Sequence, residues 1–402
     1  MSTKQLTKDK PAARVSPESA SGFTLIEMLI ALALSAIVLG AAFNYFGDVE
    51  TMTQSVSVMS QVNENLRGAA ELMARDLYAA GTGVPVDGIP LPNGTGSAPV
   101  ARPGAGDTTF PVSTNNGVLS VITPGSGLSG VIDAQSVYTQ PSDAITILKE
   151  DESWTEQAWN GQNQNWSEQS LSVTNGGIAY TQSNGYTVTA TFPSSCAPCA
   201  AVSVGDLLLF TTASDGYALG MVTTPAPAFS TSNGTTTATI AFGADSLGLN
   251  QACAAQGCAG TIDSLEPNPQ TQPGVYPAGI TLTKIDMITY YLTNSNPAHP
   301  YTLMRVLGNG APSAVAYGIA GLSLTYDAVN QGSPPQLDAA DQNPTCAGGW
   351  CPNQIRTVHL TLYATSNNLL RQSGRYYQNS IVSSITLQNL EYSNQFPTPG
   401  GG

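Results

Sequence analysis

Charge is what this sequence has least of. Only 10% of its 402 residues are Asp, Glu, Lys or Arg, and the acids outnumber the bases 27 to 13. No Lys/Arg cluster follows the first apolar run, so the chain offers little to a polyphosphate, and this argues against nucleic acid as a partner. Histidine occurs twice, as His299 in "NPAHPY" and His359 in "TVHLTL". Two imidazoles leave few ways to build a His-based triad, and His359 sits mid-strand, where a packed or surface position is the simpler reading. G-x-S-x-G, H-E-x-x-H, P-loop and dinucleotide fingerprints are all missing. The expectation is a protein that is not an enzyme and needs no cofactor.

Glycine and proline are abundant instead, 40 and 27 residues, and 41% of the chain is hydrophobic. That mixture suits a loop-rich β protein with neutral polar surfaces and enough apolar matter for a core. Six cysteines fall in three local pairs: Cys196/Cys199 in "CAPC", Cys253/Cys258 in "CAAQGC" and Cys346/Cys351 in "CAGGWC". An even count in tight pairs suggests disulfides and an oxidising compartment. Closing such short loops contributes roughly 2 kcal/mol each, enough to fix a loop but not a fold. "CAPC" also has zinc-ligand spacing, but a structural zinc needs a second close pair of like kind, so no metal is expected.

One long apolar run is present. From Phe23 to Phe43 there are 21 residues whose only charge is Glu27, and as a helix they span about 31 Å, the thickness of a bilayer's hydrocarbon core. The first 22 residues hold Lys4, Lys8, Lys10 and Arg14 against Asp9 and Glu18, a net of +2, which leaves −16 for the rest of a chain whose total is −14. Basic residues before the run and Asp48 and Glu50 after it keep the amino end in the cytoplasm and the bulk outside. A secretory signal peptide also pairs a basic region with an apolar one, but this run is longer than a typical signal core. The helical pattern also continues beyond the run. After Gly47, apolar residues recur at Val49, Met52, Val56, Met59, Leu66, Ala70, Met73 and Leu77, a stripe broken only by Asn63. Glu71 and Arg75 stand on the other face in the favourable i,i+4 order. "AAGTG" ends the pattern, with Gly81 as the C-cap. The spacing therefore predicts one helix of about 85 Å, apolar all round at first and amphipathic later.

Beyond Gly81 the period becomes that of strands. They are expected near 143–150, 186–192, 201–212, 217–224, 237–242, 279–293, 301–308, 317–327, 355–365 and 380–390. Gly/Pro/Asn-rich connections lie between them, for instance 82–118 and 261–278. Strands joined by turns, not helices, argue for antiparallel pairing. The expected class is α+β: a long amino-terminal helix packed on an antiparallel β-rich head.

"SGFTLIEMLIALALSAIVLG" (21–40) resembles the class III signal of type IV prepilins. The resemblance rests on the small residue at the junction, Phe-Thr-Leu-Ile-Glu after it, and a span that continues as a long helix. It implies that residues 1–22 are a leader cut between Gly22 and Phe23 by a prepilin peptidase that also N-methylates Phe23. It further implies that 23–46 is first a membrane span and then filament core, 47–81 the amphipathic half, 82–391 a periplasmic and later surface-exposed head, and 392–402 a loose tail. The resemblance assigns Glu27 to pairing with the amine on Phe23 of a neighbouring subunit. An isolated carboxylate in hydrocarbon is costly, and opposite charges in low dielectric attract strongly. Partners so implied are membrane lipid, other minor and major pilins and an inner-membrane assembly platform. "SDAITILKE", "MITYYLTNSNPAHPYTLMRVL", "VAYGIAGLSLTYD" and "QIRTVHLTLYAT" resemble segments of PilW-type minor pilins, which points to pilus assembly or initiation near the tip. A type II secretion pseudopilin and a tip adhesin are the alternatives. Segments 82–141, 151–200 and 225–278 match nothing in that resemblance.

Three smaller features complete the reading. Trp154, Trp159 and Trp166 cluster in a polar segment and suit either a glycan or partner surface or a loop folded on the sheet. Asp338, Asp341 and Asn343 offer oxygen ligands without the spacing of an EF-type loop, so a solvated turn is expected. Gly40, Asn44 and Gly47 each weaken a helix interior, and a local bend or melting there is expected on assembly.

Overall fold

The structure is a computed structural model. It describes residues 22–94, 99–104, 108–110, 117–129, 140–151, 158–159, 166–167, 171–181, 185–193, 202–223, 228–232, 235–253, 258–266, 274–295, 301–329, 344 and 351–390. The leader before Gly22, the tail 392–402, His299, Trp154, Asp338, Asp341, Asn343, Cys196, Cys199 and Cys346 lie outside the described residues.

Helix α1 runs unbroken from Leu25 to Tyr78, 54 residues. Gly40, Asn44 and Gly47 are helical in the single chain. The chain divides into two compact units between Val56 and Ser57, inside α1. In the first unit the apolar side chains stand open, Leu25 at 85% and Phe43 at 72% exposure. This helix is long and apolar enough to cross a membrane.

The second unit contains the rest of α1 and the strands. These are β1 (Ile89–Pro90), β2 (Val118–Leu119), β3 (Ile122–Gly125), β4 (Ala144–Glu150), β5 (Ala158–Trp159), β6 (Trp166–Ser167), β7 (Leu171–Thr181), β8 (Gly185–Pro193) and β9 (Leu207–Thr211). There follow β10 (Tyr217–Met221), β11 (Ala228–Ser232), β12 (Thr235–Phe242), β13 (Thr281–Thr293), β14 (Thr302–Leu307), β15 (Ser313–Tyr317), β16 (Ile319–Ala328), β17 (Ile355–Leu369) and β18 (Tyr376–Thr386). Their pairings are antiparallel, as expected of strands joined by turns. Strand β13 is the hub of the large sheet and pairs with β4, β7, β9 and β14. A separate sheet has the order β16–β17–β18.

Two apolar cores organise this unit. On α1, Val62, Leu66, Ala69, Ala70, Met73 and Leu77 are buried at helical spacing and share one cluster with Ile145, Met287, Leu322 and Leu360 of the sheets. Each large side chain there contributes about 1.5–3 kcal/mol. Leu171, Val188, Phe210, Ile240 and Leu282 belong to a second cluster. Strand β9 lies between the two: Leu207 and Leu209 enter the first core, Leu208 and Phe210 the second. A strand covered on both faces reads as a continuous apolar run, which accounts for "LLLF".

The structure departs from the strand pattern at several places: β1, β2, β3, β5, β6, β11 and most of β15 fall where no strand was expected, and β18 ends at Thr386, ahead of a helical turn at 388–390. Residues 203–206 form a turn ahead of β9, closed by the Ser203 N–H donating to Asp206 at 2.7 Å. Gly318, at φ +77, breaks the predicted 317–327 strand and separates β15 from β16. Strand β7 was not expected, and its sequence "LSVTNGGIAYT" holds the turn signal "NGG". The structure absorbs it as a register shift between Val173 and Ile178 against β8. Gly81 takes φ +83 just beyond α1, the left-handed conformation of a helix terminator.

Candidate functional site: the amino-terminal segment

Thr24 and Glu27 fix the start of α1. The Thr24 N–H and hydroxyl both donate to the Glu27 carboxylate at 2.9 Å, and the Glu27 N–H donates back to the Thr24 hydroxyl oxygen at 3.3 Å. This is the reciprocal bonding of a capping box, which Thr-x-x-Glu favours because it satisfies donors the first helical turn leaves unpaired. The carboxylate also sits at the positive end of the helix dipole. The sequence reading sought a partner for Glu27 in another subunit and passed over this local one. The T-x-x-E spacing was the signal.

Phe23 is 87% exposed, and apart from its chain neighbours no atom of the described residues lies within 4 Å of where a Cβ on Gly22 would stand. Packing among the described residues therefore makes no demand for glycine at the junction. Ser35, the other polar residue in the apolar run beyond the first turn, returns its hydroxyl to the Ala31 carbonyl at 2.7 Å. Glu27 is then the charged group on a segment otherwise offering apolar surface. An α-amine released on Phe23 would lie about one helical turn from its carboxylate.

Further along α1, Asn63 interrupts the stripe for a reason. Its side-chain oxygen accepts from Tyr377 at 3.2 Å and Asn379 at 2.7 Å, bonding the helix to β18. Asp76 was missed altogether. It is buried, and it accepts from the Tyr290 hydroxyl at 2.7 Å and Arg305 Nε at 2.9 Å. Burial, then the Asp76 charge, pushes the Tyr290 phenol above its ordinary range. Burial disfavours the Arg305 charge, but Asp76 outweighs it and the guanidinium is raised. The sequence signal was an acid three residues after Met73 on the buried face.

Cys253 and Cys258 are bonded to each other, and Cys351 is disulfide-bonded. Trp159 pairs with Trp166 across the β5–β6 ladder. His359 lies half-exposed on the outer face of β17, its Nδ1 2.8 Å from Ser384 Oγ and its Nε2 2.8 Å from Asp327. Ser, His and Asp thus meet on three adjacent strands, a juxtaposition sequence reasoning did not foresee. They stand on the open face of a sheet whose backbone amides bond within the ladder, a poor source of oxyanion donors.

Among known protein families, the prokaryotic N-terminal methylation motif matches residues 19–43. No curated protein and no solved structure matches the chain.

Proposed function

Starting from a prepilin-type amino terminus on a pilin-like α+β layout, we propose that this chain is a minor pilin of PilW type, a non-catalytic subunit that takes part in type IV pilus assembly. The observation that carries the reading is Glu27, held by Thr24 at the head of an exposed apolar helix directly after the Gly22–Phe23 junction. The motif implies a prepilin peptidase and assembly with other pilins.

In this reading the helix stores the subunit in the inner membrane, and removal of the leader exposes an amine on Phe23. The buried pair of that amine with a neighbour's Glu27 sets the stagger while apolar faces pack. Such a pair acts as a register device, since each charge alone would be costly among apolar side chains. The β-rich head then meets other subunits at or near the tip. Its size and the order of strand segments from β13 to β17 favour a pilus subunit over a secretion pseudopilin.

The test is mass spectrometry of the chain recovered from sheared filaments under non-reducing conditions, together with deletion of its gene. Expected are an amino terminus at methylated Phe23, three intact disulfide pairs, and loss of filaments with secretion intact. A chain beginning at Met1 in working filaments overturns the reading. Loss of secretion with normal piliation assigns the subunit to a pseudopilus instead.

A further inference from the structure

The second unit carries a surface cleft of about 450 Å³ at the junction of β9, β13 and the end of β14. Its floor is charged. Lys284 Nζ lies 3.2 Å from Asp151 and 3.3 Å from Asp206, so one ammonium serves two carboxylates. Asp286, two residues on along β13, is half-buried and makes no hydrogen bond or ion pair among the described residues. Lys149 stands opposite Asp286 on β4 but forms no ion pair with it, and Arg305 is already committed to Asp76. Burial, then the nearby Asp151 charge, raises the Asp286 carboxyl, against the opposing pull of Lys149, Lys284 and Arg305. Three carboxylates thus line the cleft beside the Lys284 ammonium, with Lys149 across the strand from Asp286, and among the described residues Asp286 makes an ion pair with neither in a partly dry place.

Aliphatic side chains share the lining with the charged groups: Val204 is 54% and Leu307 43% exposed, beside Asn309. An acidic floor beneath aliphatic walls complements a side chain that has an aliphatic stem and a cationic tip. A metal ion makes no use of such walls, and no group of three or more His, Cys, Asp or Glu among the described residues is placed to hold one. The chain as a whole is acidic, −14, so charge complementarity selects a different, basic partner over a second copy.

The geometry points to this cleft as the docking site for a lysine or arginine side chain projecting from a partner protein, with Asp286 receiving the cation and Val204 and Leu307 covering its stem. The identity of the partner as a neighbouring pilin rests on the proposed function; the cleft's chemistry does not.

The experiment titrates the full mature chain in detergent with Nα-acetyl-arginine methylamide, using the citrulline analogue as neutral control, by ligand-observed NMR. Expected is saturable, salt-sensitive binding of the arginine compound alone. It should weaken on the order of tenfold in Asp286→Asn, the loss expected for one charge-assisted contact. It should also fade as acid protonates Asp286. Val204→Lys, at an exposed position that tolerates the change, places a resident cation at the mouth and should block the probe. Equal binding of both compounds, or binding indifferent to both substitutions, overturns the assignment. So does calcium binding that excludes the probe and is itself lost in Asp286→Asn. Glu27→Ala should bind the probe normally. Lost assembly with intact probe binding therefore bears on subunit function alone, and lost probe binding with intact assembly on the cleft alone.

Discussion

The two stretches of α1 on either side of Val56 are built from similar residues and meet different fates. Ahead of it, Ile37 and Phe43 remain open, and even Met52 is 56% exposed. Behind it, Leu66, Met73 and Leu77 are inside a core. Both stretches place apolar groups at helical spacing, so periodicity alone does not separate them. Within the second unit the sheets supply the opposing surface and the stripe is an intramolecular core; the exposed apolar side chains of the first unit call for lipid or another subunit.

Substitutions break the comparison at known points. The largest effect is expected from Glu27→Ala, which should cut incorporation into filaments by on the order of tenfold or more. Head unfolding should not change, as immunoblots of sheared filaments and denaturant titration would show. If the variant assembles normally, the role given to Glu27 is lost. Behind Val56 the effects are on stability. Asp76→Ala strands Arg305 and Tyr290 and should cost about 4 kcal/mol of head stability; Met73→Ala opens a cavity and should cost about 3 kcal/mol. Both are read from urea midpoints at constant m. Reducing the Cys253–Cys258 bond should cost about 2 kcal/mol and speed amide exchange across the loop near Asp263, which accepts from the Cys253 N–H at 3.0 Å. Smallest is Met52→Ala, which should change head stability by less than about 0.5 kcal/mol. A large loss there would show that the chain itself covers the upstream face.

The legibility of this chain follows sequence distance. The Phe-Thr-Leu-Ile-Glu segment could be read because its residues are contiguous in the chain, although the Thr24–Glu27 bonds, three residues apart, were passed over. The pattern of β13 and β17 could be read because alternation is local. Strand β7 could not, since its "NGG" is a turn signal that only pairing with β8 overrides. The apparent defect at Asn63 is a bond to residues 314 and 316 positions away, and local spacing holds no trace of such a partner. The same is true of His359, which looked isolated in "TVHLTL" and sits between Asp327 and Ser384 because three strands fall in register.

The amino-acid order alone determined the helix, its apolar density, the cap that opens it and the glycine that closes it. Each of these depends on neighbours within about one turn, where chain connectivity already brings groups together. Only the tertiary structure decided which part of that helix is core, that Asp76 meets partners 214 and 229 residues away, and that Asp286 lines a cleft with no ion pair among the described residues. Those outcomes depend on surfaces that come together only when the sheets pair, and the free energy of a buried charge is set by what packs around it.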